Sequence, residues 1–199
     1  YSGTGTIVDR CHVSVRPESG EPVLLETDHI LIATGSVPAC PPIPGADLPG
    51  VVTSDGLLDK QDMFGHLIII GGGVIGMEFA SIYSSLGHPV TVIEALDRIL
   101  PGMDKEIAQN LKMILKKRGT DIHTGARVEE ILRAEDGRGL ACRFVEKDKA
   151  WEVTADGILI ATGRRAYTGG LISEESSQDI KDMAMERGRI VTDGNHETS

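Results

Sequence analysis

The fold of this chain is decided by the stretch Leu67-Ile68-Ile69-Ile70-Gly71-Gly72-Gly73-Val74-Ile75-Gly76-Met77-Glu78. Its four leading apolar residues predict a buried strand, its glycines a turn, and the residues after them a helix. The glycines follow the order G-x-G-x-x-G, which is typical of dinucleotide sites. There Gly71 allows a sharp turn, Gly73 lets the backbone approach a pyrophosphate, and Gly76 lets helix and strand pack closely. The first N–H groups of the helix would then face the phosphates.

A second apolar run, Val90–Glu94, ends in a carboxylate at about the ~20-residue distance expected of a ribose-binding acid. We expect Glu94 to accept hydrogen bonds from the ribose hydroxyls of NAD and to repel the 2′-phosphate of NADP. The alternative is a solvated glutamate at a strand end. Arg98 leaves open a 2′-phosphate ligand or a surface charge, although Glu94 favours NAD. Glu78 either interacts with the helix dipole or lies near the nicotinamide end of the cofactor.

The pattern around these motifs predicts an α/β fold. One helix follows the glycine turn, and a second begins at Asp104 and ends at Gly119. Strand-like segments are expected near residues 5–15, 23–33, 121–124, 127–132, 140–145 and 151–154. The result is a Rossmann-like parallel sheet with helices and an antiparallel β-meander.

An internal repeat brackets this unit. The sequence Ile-Leu-Ile-Ala-Thr-Gly occupies residues 30–35 and recurs at residues 158–163. We interpret both copies as buried strands through which the chain enters and leaves the dinucleotide unit. The alternative is two unrelated core strands of similar composition.

Composition excludes several classes of function. The formal net charge of −10 argues against nucleic acid or an anionic membrane surface as partner. No apolar run approaches the ~20 residues of a membrane span, and no signal peptide is expected. Cys11, Cys40 and Cys142 suggest neither a disulfide framework nor a metal site, so a cytoplasmic setting is expected. We assign no catalytic residue and no metal ligand, and we interpret His196-Glu197 as a solvated end.

The chain resembles the pyridine nucleotide–disulfide oxidoreductase family, and within it the dihydrolipoamide dehydrogenase branch most. The resemblance covers essentially the whole chain. It rests on Ala-Thr-Gly-Ser at 33–36, the glycine turn, Glu94, Ala-Thr-Gly-Arg-Arg at 161–165, and Gly-Arg-Ile-Val-Thr-Asp at 188–193.

The resemblance implies an NAD domain inserted into an FAD domain. Residues 1–36 would be a β-rich flank of the FAD domain, 37–157 the NAD domain, and 158–199 the return crossing with a second FAD flank. In the full enzyme Thr34, Gly35 and Ser36 would approach FAD. The residues expected to bind NAD are Gly71, Gly72, Gly73, Val74, Ile75, Gly76, Glu78, Glu94, Val128 and Gly163.

The departures from the family pattern limit the expected activity. The N-terminal FAD glycine motif, the redox cysteine pair and the C-terminal His-Glu base are not found in this sequence. Ala166 replaces the proline common after Gly-Arg-Arg. We therefore interpret the chain as a middle portion of such an enzyme and expect it to be inactive alone.

The parent reaction implied by the resemblance is oxidation of dihydrolipoamide with NAD, through FAD. The implied partners are the rest of the enzyme, a second copy in a homodimer, and a lipoyl domain of a 2-oxoacid dehydrogenase complex. Two alternatives stay open. One is a sister enzyme, namely a mercuric, glutathione or coenzyme A disulfide reductase or an NADH oxidase. The other is a non-catalytic NAD-sensing domain.

Overall fold

The computed structural model describes residues 1–135 and 137–199, and the chain divides into two compact units. Unit 1 comprises Tyr1–Val37 and Arg165–Ser199, and unit 2 comprises Pro38–Arg164. The elements in chain order are β1 (Thr4–Asp9), β2 (His12–Arg16), β3 (Val23–Glu26), β4 (Ser36–Pro38), β5 (Val51–Thr53), α1 (Ser54–Leu58), β6 (Leu67–Ile70), α2 (Val74–Ser85), β7 (Val90–Glu94), α3 (Lys105–Lys117), β8 (Asp121–Thr124), β9 (Ala126–Arg133), β10 (Leu140–Glu146), β11 (Lys149–Ala155), β12 (Gly157–Ile160), β13 (Arg164–Ala166), α4 (Gln178–Lys181), β14 (Met185–Glu186) and β15 (Arg189–Ile190).

Unit 2 is built around a five-stranded parallel sheet in the order β5-β12-β6-β7-β8. Every residue of β6, β7 and β12 is buried, as expected for parallel strands covered on both faces. Leu67 and Ile69 pack on the side of α2 and α3, whereas Ile68 and Ile70 pack against residues of the meander. The alternation of side chains along β6 thus supplies two cores from one strand.

The meander β11-β10-β9 is antiparallel and covers the second face of the sheet. On the first face, α3 begins at its predicted N-cap, because the Asp104 carboxylate accepts the N–H groups of Glu106 and Ile107. The predicted α/β class, with a Rossmann-like parallel sheet and an antiparallel meander, is confirmed.

The predicted domain boundaries can be compared with these units. The first lies at 36/37, one residue from the break at 37/38. The second lies at 157/158, but the structure keeps residues up to 164 in unit 2 because β12 pairs with both β5 and β6. Assignment of the units to cofactor domains stays a prediction.

Unit 1 contains the antiparallel sheet β1-β2-β3, the short helix α4 and the β14-β15 hairpin. Its core is formed by Ile7, Leu171, Ile180 and Met183. Among the described residues, no helix is long and apolar enough to cross a membrane.

The expectation that residues 30–35 form a buried strand is wrong. In the predicted segment 23–33 only Val23–Glu26 is a strand. Ile30 and Ile32 pack against the core of unit 1, whereas Leu31 is 90% exposed. Within the described ranges no strand pairs with this segment, so its backbone lacks the ladder that defines a strand.

Candidate functional site

The turn after β6 has the positive φ that a sharp turn at Gly71 requires and the close helix–strand packing predicted at Gly76. Gly71 has a φ of +114°, and a Cβ there would lie within 3.0 Å of the carbonyl oxygen of Ala161. A Cβ on Gly76 would lie within 3.0 Å of the carbonyl oxygen of Gly71. Only glycine fits at these two positions without displacing backbone, so the start of α2 lies tightly against the ends of β6 and β12.

Gly73 differs from these two glycines because its surroundings are open. It is the N-cap of α2 with a φ of −74°, and no heavy atom lies within 4 Å of the position of a Cβ. As a glycine it offers no side chain to cap the helix, so the first N–H groups of α2 keep their capacity to bind a ligand. Open space beside a bare helix start is the geometry that a phosphate group requires.

Glu94 ends the strand beside this turn and is only 8% exposed. Its Oε2 accepts the backbone N–H of Gly72 at 2.5 Å, and its Oε1 accepts that of Leu96 at 2.7 Å. These two N–H groups compensate part of the cost of burying the carboxylate. Each carboxylate oxygen can accept a further hydrogen bond, which leaves capacity for two hydroxyl groups.

The turn and Glu94 border a cavity of about 590 Å³ in unit 2, which we call the cleft. It opens at the carboxyl ends of β6, β7 and β12. The strand order reverses at β6, because β7 and β8 follow on one side of it and β12 lies on the other. Open α/β sheets bind their ligands at this kind of switch point. The volume lies in the ordinary range for small-molecule sites, roughly 300–1,000 Å³.

Most of the residues predicted to bind NAD lie at the cleft, although their role stays a prediction. Those that line it are Gly71, Gly73, Val74, Ile75, Glu94, Val128 and Gly163. Gly72 and Gly76 are not among the residues that line the cleft. A Cβ on Gly72 would lie 3.1 Å from side-chain atoms of Glu94, so this glycine faces the carboxylate.

Two charged residues considered as cofactor ligands in the sequence analysis do not line the cleft. Glu78 is exposed and lines a separate cavity of unit 2, with Asp55 and Arg164, which form an ion pair of 3.2 Å. Arg98 donates from Nη2 to the carbonyl oxygen of Pro101 at 2.6 Å, and it is not among the residues that line the cleft.

The residues predicted to approach FAD all lie in unit 1. Thr34 and Gly35 line a cavity of about 820 Å³ there, together with the chain's last residues, His196–Ser199. Ser36 begins β4, which pairs with β13.

Sequence reasoning missed much of the cleft wall. The missed residues are Pro41, Ile43, Ile70, Ile93, Ala95, Leu96, Pro101, Ala126, Arg127, Ala161, Thr162 and Arg164. The ends of β6, β7 and β12 could have been predicted, because ligands lie at the carboxyl ends of parallel strands. Residues 41 and 43 carried no signal, since they belong to an irregular proline-rich connection.

Reactive groups are few in the described part of the chain. No cluster of three histidine, cysteine or acidic residues among residues 1–135 and 137–199 is arranged to hold a metal ion. Burial raises the pKa of the Cys142 thiol to about 12, while Cys11 and Cys40 are exposed. His123 is buried between Glu146, 2.8 Å from Nδ1, and Asp121, 3.0 Å from Nε2.

Comparison with known proteins shows the family of the chain. The family model described as "Pyridine nucleotide-disulphide oxidoreductase" matches residues 2–199. A dihydrolipoamide dehydrogenase of Chaetomium thermophilum is 38% identical over 98% of this chain and 38% of its own length. A mercuric reductase of Streptomyces lividans is 34% identical over 96% of this chain and 39% of its own.

Among solved structures, the HOCl-induced flavoprotein disulfide reductase RclA of Escherichia coli matches with a TM-score of 0.83. It is 32% identical, and the match covers 100% of this chain and 43% of that one. The chain therefore spans about two fifths of the length of the proteins it matches.

Proposed function

Because this chain belongs to the pyridine nucleotide–disulphide oxidoreductase family, we propose that its cleft is the NAD(H) site of a flavin-dependent disulfide oxidoreductase. The observation that carries the proposal is the pairing of an open Gly73 with the buried Glu94 carboxylate on one cavity. The first suits a pyrophosphate and the second suits a ribose. Both lie at the switch point of the parallel sheet.

The chain's own residues would hold the cofactor along the cleft. The start of α2 and the turn at Gly73 would donate N–H groups to the pyrophosphate. Glu94 would accept the adenosine ribose hydroxyls with its remaining lone pairs, and Val128 would lie against the adenine. Gly163 would lie on the nicotinamide side, where a φ of +127° and an open Cβ position leave room for a ring.

Glu94 also supports a preference for NAD over NADP. The carboxylate of Glu94 already accepts two backbone N–H groups, and a 2′-phosphate beside it would place two anions next to each other. Like charges in contact repel, so NADP is disfavoured. Arg98 offers no compensation in this structure, since its guanidinium is bonded to Pro101 and lies outside the cleft wall.

For the longer protein we propose dihydrolipoyl dehydrogenase activity. Two thiols of dihydrolipoamide lose two electrons and two protons, and NAD gains a hydride while one proton is released. FAD supplies the electron transfer between them when bound, and Thr34, Gly35 and Ser36 would lie beside it. The proposed partners are the rest of the enzyme, a second copy, and a lipoyl domain.

We test cofactor binding by calorimetric titration of the chain with NADH and separately with NADPH. Wild type should bind NADH more tightly, and Glu94→Gln should reduce that preference because it removes the negative charge that repels a 2′-phosphate, although the amide oxygen can accept only one of the two N–H groups that Glu94 accepts. Glu186→Gln, at an exposed glutamate of unit 1, is the matched control and should change nothing. Tighter binding of NADPH by wild type, or no binding by a folded chain, would contradict the proposal.

A sister reductase is the second candidate. It is favoured by the similarity to RclA and to a mercuric reductase, at identities close to that of the dihydrolipoamide dehydrogenase. Turnover of a full-length protein that carries this chain separates the two. NADH formation from dihydrolipoamide supports the first candidate. NADH consumption only with mercuric ion, or only with a disulfide other than lipoamide, supports the second.

A further inference from the structure

Gly72 is held from two sides, by Glu94 at the end of β7 and by the loop of residues 95–104 that connects β7 to α3. The N–H of Gly72 donates to Glu94, and its carbonyl oxygen accepts the N–H of Leu100 at 2.8 Å. Gly72 lies between Gly71 and Gly73, so its orientation decides where the neighbouring peptide groups point. The shape of the glycine turn therefore depends on the position of Leu100.

Leu100 is held in an unfavourable backbone conformation. Its φ is +49°, in the left-handed region that disfavours residues with a Cβ, and the residue is buried. Such a residue persists only where its surroundings fix it. Its carbonyl oxygen accepts the N–H of Met103 at 2.9 Å, and the next residue, Pro101, is bonded to Arg98.

The position of Arg98 in this loop costs free energy. Nη2 donates to the carbonyl oxygen of Pro101, whereas Nη1 is buried and has no acceptor within the described portion of the chain. An arginine is always charged, so a buried N–H without a partner costs free energy. The hydrogen bond to the Pro101 carbonyl is the contact by which the guanidinium stabilises the loop.

We propose that Arg98 is a positioning residue, which closes the 95–104 loop so that Leu100 holds the Gly72 carbonyl and keeps the glycine turn set for a pyrophosphate. This rests on the proposed function of the cleft. Because NADH and NADPH share the pyrophosphate, Arg98 serves both equally. A 2′-phosphate ligand at the same position would serve NADPH alone.

The test compares Arg98→Ala and Arg98→Lys with wild type, in titrations with NADH and NADPH. Losing a hydrogen bond from a charged donor should weaken binding of both by on the order of tenfold, with their ratio unchanged. Lysine can still donate to the Pro101 carbonyl and should recover part of the affinity. Arg118→Ala, which removes an exposed guanidinium bonded to Ser85, is the matched control.

A second measurement needs no ligand. Amide hydrogen exchange at Leu100 should accelerate in Arg98→Ala, while exchange at Ile69 in β6 stays slow. Loss of NADPH binding alone, or unchanged exchange at Leu100, would overturn the inference. If wild type binds neither cofactor, the proposed function fails, and the exchange rates still decide whether Arg98 holds the loop.

Discussion

Replacing Gly73 with alanine separates binding from folding at the glycine turn. The residue has a φ of −74° and a ψ of −175°, which alanine adopts freely, and the added methyl group would meet no atom within 4 Å. Alanine also restricts the unfolded chain. Because alanine is a poorer N-cap residue than glycine, this gain is offset, and Gly73→Ala should leave the free energy of unfolding within about 1 kcal/mol of wild type. The methyl group would, however, occupy the space that a pyrophosphate needs.

The same change three residues later should have the opposite effect. A Cβ on Gly76 would lie within 3.0 Å of the Gly71 carbonyl oxygen and 3.2 Å from the Ile69 side chain. Backbone must move to admit it, and overpacking of this kind costs about 1–3 kcal/mol. Gly194→Ala is the matched control, since its Cβ meets nothing and it lies in unit 1.

Urea denaturation and NADH titration of the three variants measure both effects. NADH affinity should fall at least about tenfold in Gly73→Ala, or about 1.4 kcal/mol, while its free energy of unfolding should stay closer to wild type than that of Gly76→Ala. Native NADH affinity in Gly73→Ala would refute the placement of the pyrophosphate at this turn. Wild-type stability in Gly76→Ala would refute the packing argument.

Three further predictions follow from burial. Because the pKa of Cys142 is raised to about 12, an alkylating reagent near neutral pH should modify the two exposed cysteines rapidly and Cys142 only after unfolding, as read by mass spectrometry. Burial lowers the pKa of His66 below its usual 6.5, so protonation favours the unfolded state and stability should decline from about pH 7 to pH 5. His66→Gln should flatten that decline in urea denaturation, and an equal slope would contradict the assignment. Leu159→Ala should cost about 2–5 kcal/mol of unfolding free energy, whereas Leu31→Ala should stay within about 0.5 kcal/mol, and equal losses would contradict the burial contrast.

The sequence predicts the centre of the site better than its walls. Gly71, Gly76 and Glu94 are each set by a local requirement, namely a positive φ, a close approach or a strand end, and such requirements select residue types. The wall residues Pro41 and Ala126 come from distant segments. Their only requirement is to be near the cleft, which many residue types satisfy.

The role of Arg98 could not be predicted for a related reason. Its spacing from the strand end permits a phosphate ligand or a surface charge, and both interpretations assume that the side chain points away from its own loop. The structure shows it turned back to Pro101, three residues before the α3 N-cap at Asp104. Leu100, between Arg98 and Pro101, has a positive φ, and leucine gives no sequence signal for such a conformation.

The two copies of Ile-Leu-Ile-Ala-Thr-Gly have the same sequence but not the same secondary structure. Residues 158–160 form a buried strand because β5 and β6 lie on either side, whereas residues 30–32 have no neighbouring strand among those described and leave Leu31 exposed. What the two copies share is their end. Gly35 and Gly163 both have positive φ and open Cβ positions, and each lines a cavity of its own unit. Pairing with neighbouring strands decides whether the apolar residues form a strand, whereas the terminal glycine has a positive φ in both settings. The shared part of the motif is therefore its Thr-Gly end.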